Sequence, residues 1–136
     1  MERTDRYGNV IGDGGSRDED CVLIVDDDGD FLGLVGLYLT MEGFRVTSAE
    51  NGDEALALVK SKKFSFMVTD YTMPDMDGLK LSEEVLKTVP GLTIVMMTGN
   101  PSTPLCRYAS ALGIRAVLAK PLDIDELLRI VRKNPA

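Results

Sequence analysis

Asp26-Asp27-Asp28, Asp70, Thr98 and Lys120 are the residues of this chain best suited to chemistry, and each set lies at the end of a short apolar run. The runs are Val22-Leu23-Ile24-Val25, Phe66-Met67-Val68, Thr93-Ile94-Val95-Met96-Met97 and Ala116-Val117-Leu118-Ala119. Singly, each has a plain explanation: Asp27 a turn residue, Asp70 a loop solvator or helix cap, Thr98 a cap, Lys120 a solvated lysine. Four suitable groups at four corresponding ends are harder to dismiss. Clustered carboxylates repel one another, and a hard divalent cation relieves that repulsion. An oxygen-only donor set with room for water suits Mg²⁺, which is octahedral and keeps several waters. Such a cation would neutralise phosphate oxygens during an in-line transfer. Lys120 would bring a point charge to the same oxygens and Thr98 a hydrogen bond. The set suits a phosphoryl group on Asp70. Histidine is absent, so His-based triads, His metal ligands and a phosphohistidine on this chain are excluded.

The elements that must position these groups can be read from the same rows. Apolar runs of three to five residues predict buried strands, and Phe44 to Ser48 predicts a less apolar one. After the first strand, Phe31, Leu34, Val35, Tyr38 and Leu39 repeat at helical spacing, with Gly43 placed to end the helix. Asn51 can cap a helix from Asp53 to Ser61. The stretch Val68 to Gly78 leaves a strand at Asp70, turns through Pro74 and enters a helix from Leu79 to Val89, ending before Pro90-Gly91. Thr103 with Pro104 opens a further helix whose Leu105, Tyr108, Ala109 and Leu112 share a face, and Gly113 ends it. Asp123 and Glu126 make a capping-box-like start to the last helix, with Ile124, Leu127, Leu128 and Val131 inward. Five β-α units with strands apolar throughout imply a parallel sheet covered on both faces. The expected fold is α/β, a doubly wound five-stranded sheet with right-handed crossovers. All strand carboxyl ends then lie on one edge, where ligands bind in such sheets.

The totals bound the function. The 136 residues fit one domain, expected at 21–133, with a tail or linker at 1–20 and a short tail at 134–136. Residues 1–20 hold Gly8, Gly12, Gly14 and Gly15 and few apolar side chains. A net charge of −7 argues against nucleic acid and anionic membranes as partners. No apolar run approaches the ~20 residues needed to span a bilayer. Cys21 and Cys106 read as small buried hydrophobes in a reducing compartment, so the expected location is cytoplasmic.

From Cys21 to Lys133 the chain resembles the response-regulator receiver domain of two-component signalling. The resemblance is carried by Val25-Asp26-Asp27, by Asp70-x-x-Met73-Pro74-x-x-Asp77-Gly78, by Met97-Thr98-Gly99 and by Ala119-Lys120-Pro121. It implies a flavodoxin-like sheet of strand order 2-1-3-4-5. It also implies that Asp70 is phosphorylated from a histidine kinase or histidine phosphotransfer protein. Mg²⁺ would be held by Asp27, Asp70 and the Thr72 carbonyl, with Asp26 acting through a water. Lys120 would contact the phosphoryl group, and Thr98 would move to bond it. A downstream protein would read the face of the fourth helix, fifth strand and fifth helix. The resemblance further implies no enzymatic turnover beyond self-phosphorylation from a donor and self-dephosphorylation. A cis Lys120–Pro121 peptide is expected. Where the family often has an aromatic residue, this chain has Val117, which places the expected switch in Thr98 and Gly99.

Two other readings compete. Asp26-x-Asp28-Gly29 after an apolar strand resembles the first motif of haloacid-dehalogenase-like phosphatases, with Asp26 as nucleophile, but leaves the Asp70 stretch unexplained. An inert interaction module on the same fold would have no need to crowd these charges.

Overall fold

A computed structural model describes residues 3–4, 10–11 and 21–132. The five strands of the main sheet are β1 (Cys21–Val25), β2 (Arg45–Ala49), β3 (Phe66–Asp70), β4 (Thr93–Thr98) and β5 (Ala116–Ala119). All pair in parallel in the order β2-β1-β3-β4-β5. The helices are α1 (Gly29–Met41), α2 (Gly52–Ser61), α3 (Gly78–Thr88), α4 (Thr103–Leu112) and α5 (Ile124–Arg132). The doubly wound sheet and its order are those anticipated. Residue 133 and the expected tail at 134–136 lie outside the described residues, as does most of 1–20. Within that N-terminal stretch, Arg3–Thr4 pairs antiparallel with Val10–Ile11.

Alternation along the strands divides the core in two. Leu23, Val25, Met67, Ile94 and Met96 face one side with Ala55, Val59, Leu81, Val85 and Ala109, under α2, α3 and α4. Val22, Ile24, Phe66, Val68, Val95 and Met97 face the other with Leu32, Val35, Leu39, Leu127 and Leu128, under α1 and α5. Fully burying one such side chain is worth about 2 kcal/mol, so both faces of the sheet stabilise the domain.

Helix ends follow the sequence signals to within one residue: α2 starts at Gly52 rather than Asp53, and α3, expected at Leu79 to Val89, lies one residue earlier at each end. Asn51 accepts from the Glu54 N–H at 2.8 Å and Asp123 from the Asp125 N–H at 2.9 Å. Gly43 and Gly113, at φ +99° and +102°, close α1 and α4 in the left-handed region. The cap of α4 is Ser102, accepting from the Leu105 N–H at 3.3 Å, so Thr103 is already helical.

Two expected faces are corrected. On α1 the buried residues are Leu32, Val35 and Leu39, while Leu34 and Tyr38 are exposed. This helix is apolar on more than one side, so spacing alone could not choose between Leu32-Val35-Leu39 and Leu34-Leu37-Tyr38-Met41. On α4, Ala109 is buried and Tyr108 points outward. Cys21 is buried as expected, but Cys106 is only half-buried.

Candidate functional site

The parallel register brings four strand ends to one edge. β3 and β4 end with Asp70 opposite Met97, and β4 and β5 end with Thr98 opposite Ala119, one residue before Lys120. The Lys120 N–H donates to the Thr98 carbonyl at 2.9 Å. Asp26, one residue past β1, donates its N–H to the Ala49 carbonyl at 3.1 Å, which keeps it in line with the sheet. Its Oδ1 accepts from the Asp28 N–H at 3.0 Å. Asp28 in turn caps α1, accepting from the N–H groups of Asp30 and Phe31 at 3.0 and 3.3 Å.

Asp70 is anchored from below. The Tyr71 N–H donates to the Met97 carbonyl and the Gly78 N–H to the Tyr71 carbonyl, both at 2.8 Å. Gly78 packs so tightly that a Cβ there would collide with the Asp70 carbonyl oxygen. The glycine is therefore required by close backbone approach.

Carboxylate oxygens of Asp26, Asp27 and Asp70 lie within 4.8 Å of one another. Asp26 and Asp70 are buried and Asp27 faces solvent. Lys120 Nζ stands between two of the acids, 2.9 Å from Asp26 Oδ2 and 3.4 Å from Asp70 Oδ1. Burial pushes the Asp70 carboxyl above its ordinary range, and the Asp26 charge adds to that; Lys120 and the Thr72 N–H pull back only in part. Burial alone would lower Lys120, but its bond to Asp26 and the charges of Asp26 and Asp70 hold it above its ordinary value. The lysine is a fixed cation here. Three crowded oxygens of this kind, one open to solvent, fit a hard divalent cation.

Thr98 is buried, and its hydroxyl accepts from the Asn100 N–H at 3.2 Å. Gly99 is exposed, and space is open where its Cβ would be. Val117 is half-buried against the α4 side of the core. The Lys120–Pro121 peptide is cis. One neighbour was not anticipated: the Phe31 ring, whose centroid lies 4.7 Å from Lys120 Nζ. Phe31 read as a core residue by spacing, and its place three residues after the α1 cap was the available signal.

This is the fold and edge cluster of a phosphoacceptor domain, and comparison with known proteins agrees. Residues 22–132 match the family model described as the response regulator receiver domain. The chain belongs to that family. It is 37% identical over 110 residues to the transcriptional regulatory protein GlrR of Escherichia coli, a match covering 81% of this chain and 25% of that protein. The chain therefore spans about a quarter of that curated relative. It is 30% identical over 112 residues to the response regulator receiver protein CpdR of Brucella abortus, covering 82% of this chain and 93% of the relative. A Burkholderia pseudomallei response regulator, solved with a phosphorylated aspartic acid, a calcium ion and citrate, superposes with a TM-score of 0.80 at 30% identity, covering 85% of this chain and 68% of that one. The phosphatase alternative at Asp26 receives no support. Among the described residues no helix is long and apolar enough to cross a membrane.

Proposed function

We propose that Asp70 accepts a phosphoryl group from the phosphohistidine of a kinase or histidine phosphotransfer protein. An Asp70 carboxylate oxygen attacks phosphorus, a P–O bond forms, and the P–N bond to the donor imidazole breaks. The imidazole leaves with the bonding electron pair and is protonated from solvent. The observation that carries this reading is Lys120 Nζ at 3.4 Å from Asp70 Oδ1, beside a cluster of two further acids. Mg²⁺ is the proposed metal, held by Asp27, Asp70 and the Thr72 carbonyl, with Asp26 engaged through water. When bound, it would offset the charge of the phosphoryl oxygens. Lys120 supplies a second cation, and Thr98 exchanges its bond with Asn100 for one to the phosphoryl group. The chain acts as a switch in the cytoplasm, with no catalytic turnover beyond its own phosphorylation and dephosphorylation, and with a protein rather than nucleic acid or membrane as its direct partner. The domain proper is 21–133. Incubation with acetyl phosphate and Mg²⁺ should add one phosphoryl group, absent in Asp70→Asn; modification at Asp26, or persistence in the variant, would overturn the reading.

The donor's contact is the outer face of α1. Leu34, Leu37, Tyr38 and Met41 are each about half exposed and recur at i, i+3, i+4 and i+7. The stripe starts one turn beyond Phe31, whose ring lies against Lys120. Four half-exposed side chains fall short of the ~800 Å² per partner of a stable pairing, which suits a donor that binds, transfers and leaves.

The output is read on α4, β5 and α5. Val117 is short, β-branched and stiff at χ1, with no ring to swing. Movement is therefore assigned to the backbone from Thr98 through Gly99 to the start of α4, where the open space at Gly99 favours it.

A further inference from the structure

We propose that Phe31 is a positioning residue for Lys120, its ring face steering the ammonium group between Asp26 and the acceptor. The inference rests on the phosphoacceptor reading of Asp70 and adds a part to it. A lysine ammonium has three N–H donors. One meets Asp26 Oδ2 at 2.9 Å and a second faces Asp70 Oδ1 at 3.4 Å. The Phe31 ring lies along another side, its centroid 4.7 Å from Nζ, inside the ~6 Å over which a cation is drawn to an aromatic face.

The ring is itself held. Its backbone N–H donates to the capping Asp28 carboxylate at 3.3 Å, and the side chain is half-buried against the Val22 and Ile24 face of the core. The same first turn of α1 thus links Asp28, next to the acid cluster, to the surface that Lys120 touches. The attraction of a π face is broad rather than directed along one bond. The ammonium can leave Asp26 and follow a phosphoryl group on Asp70 while keeping the ring beneath it. A carboxylate in place of the ring would bind the lysine too firmly for that, and water would leave it unguided. An aliphatic residue would serve the packing alone. Only an aromatic serves packing and cation together.

The test separates those roles. Lys120 ε-methylene resonances, assigned by their loss in Lys120→Arg, are followed by NMR in the unmodified protein. The ring current should displace them upfield in the wild type and in Phe31→Tyr, and Phe31→Leu should return them to the range of free lysine. Phe31→Trp should displace them further, which provides a second reading if the leucine variant folds poorly. With acetyl phosphate and Mg²⁺, the rate of Asp70 modification should fall about five-fold in Phe31→Leu and stay within about two-fold in Phe31→Tyr, the span expected of a partly exposed cation–π contact. Undisplaced resonances in the wild type, or a tyrosine variant that falls with the leucine one, would overturn the proposal. The resonances are read without phosphate, so they decide the Phe31–Lys120 pairing even where phosphoryl acceptance itself fails.

Discussion

Lys120 is bonded more closely to Asp26 than to Asp70, at 2.9 Å against 3.4 Å. The cation of the site is thus held on a neighbouring acid, 94 positions away in the chain, and only leans toward the acceptor. Three clustered acids, two of them sharing one lysine, leave negative charge uncompensated, and several outcomes can be measured from that imbalance.

Asp70→Asn should stabilise the protein when divalent metal is removed with EDTA. The folded state holds the Asp70 proton more tightly than the unfolded chain, whose ordinary value is 3.8. Stability from the protonated form is full below that value and is lost as pH rises through the raised folded value. The variant escapes this loss. Its Tm advantage should be small in acid and grow with pH to about 4 °C near neutrality, about 1 kcal/mol. Thermal melts across pH check it; a constant difference, or a lower Tm for the variant, contradicts it.

Lys120→Met should destabilise the domain by about 2 kcal/mol, less than a fully buried pair would lose because the lysine side chain is 27% exposed. Adding Asp26→Asn should recover about half of that, since the acid left behind is then neutral. Urea unfolding of both single variants and the double variant gives the coupling directly. Additive losses would mean that the pairing carries no net stability.

Gly78→Ala should cost about 3 kcal/mol, because the new methyl group meets the Asp70 carbonyl and the Tyr71 Cα, both backbone and unable to rotate away. Gly91→Ala, where space is open, should stay within about 0.5 kcal/mol. Equal midpoints in chemical denaturation would refute the close-approach argument.

Leu37→Glu on the outer face of α1 should slow transfer from a protein phosphohistidine about ten-fold more than it slows modification by acetyl phosphate. That factor corresponds to ~1.4 kcal/mol of lost contact. Paired rate measurements with the two donors test it, and equal slowing would remove α1 as the docking face.

Beryllofluoride at Asp70 should shift amide resonances from Thr98 to Tyr108 strongly and those from Ala116 to Leu118 weakly. Comparable shifts along β5 would return the switch to the strand and to Val117.

Much of the fold was legible because strands buried on both faces are apolar without interruption, as in Val22-Leu23-Ile24-Val25, and because Asn51, Asp123, Gly43 and Gly113 mark helix ends by their own chemistry. The meeting of Asp26, Asp70, Thr98 and Lys120 followed from parallel topology alone. The face of α1 did not, since Leu34, Leu37, Tyr38 and Met41 keep the same spacing as the buried set and differ only in what lies opposite. The contact of Phe31 with Lys120 was equally hidden. It depends on the pitch of a helix against a strand end 89 residues later, which no local pattern encodes.

The two-sided core has a consequence for how a message crosses the molecule. α1, where a donor is proposed to land, shares its hydrophobic packing with α5, whereas the loop after Thr98 feeds α4 on the opposite side. The sheet stands between them as a partition, and the acid cluster sits on its rim, open to both compartments. The proposed output face therefore straddles the partition: α4 lies across the sheet from the donor helix, whereas α5 shares the donor's side.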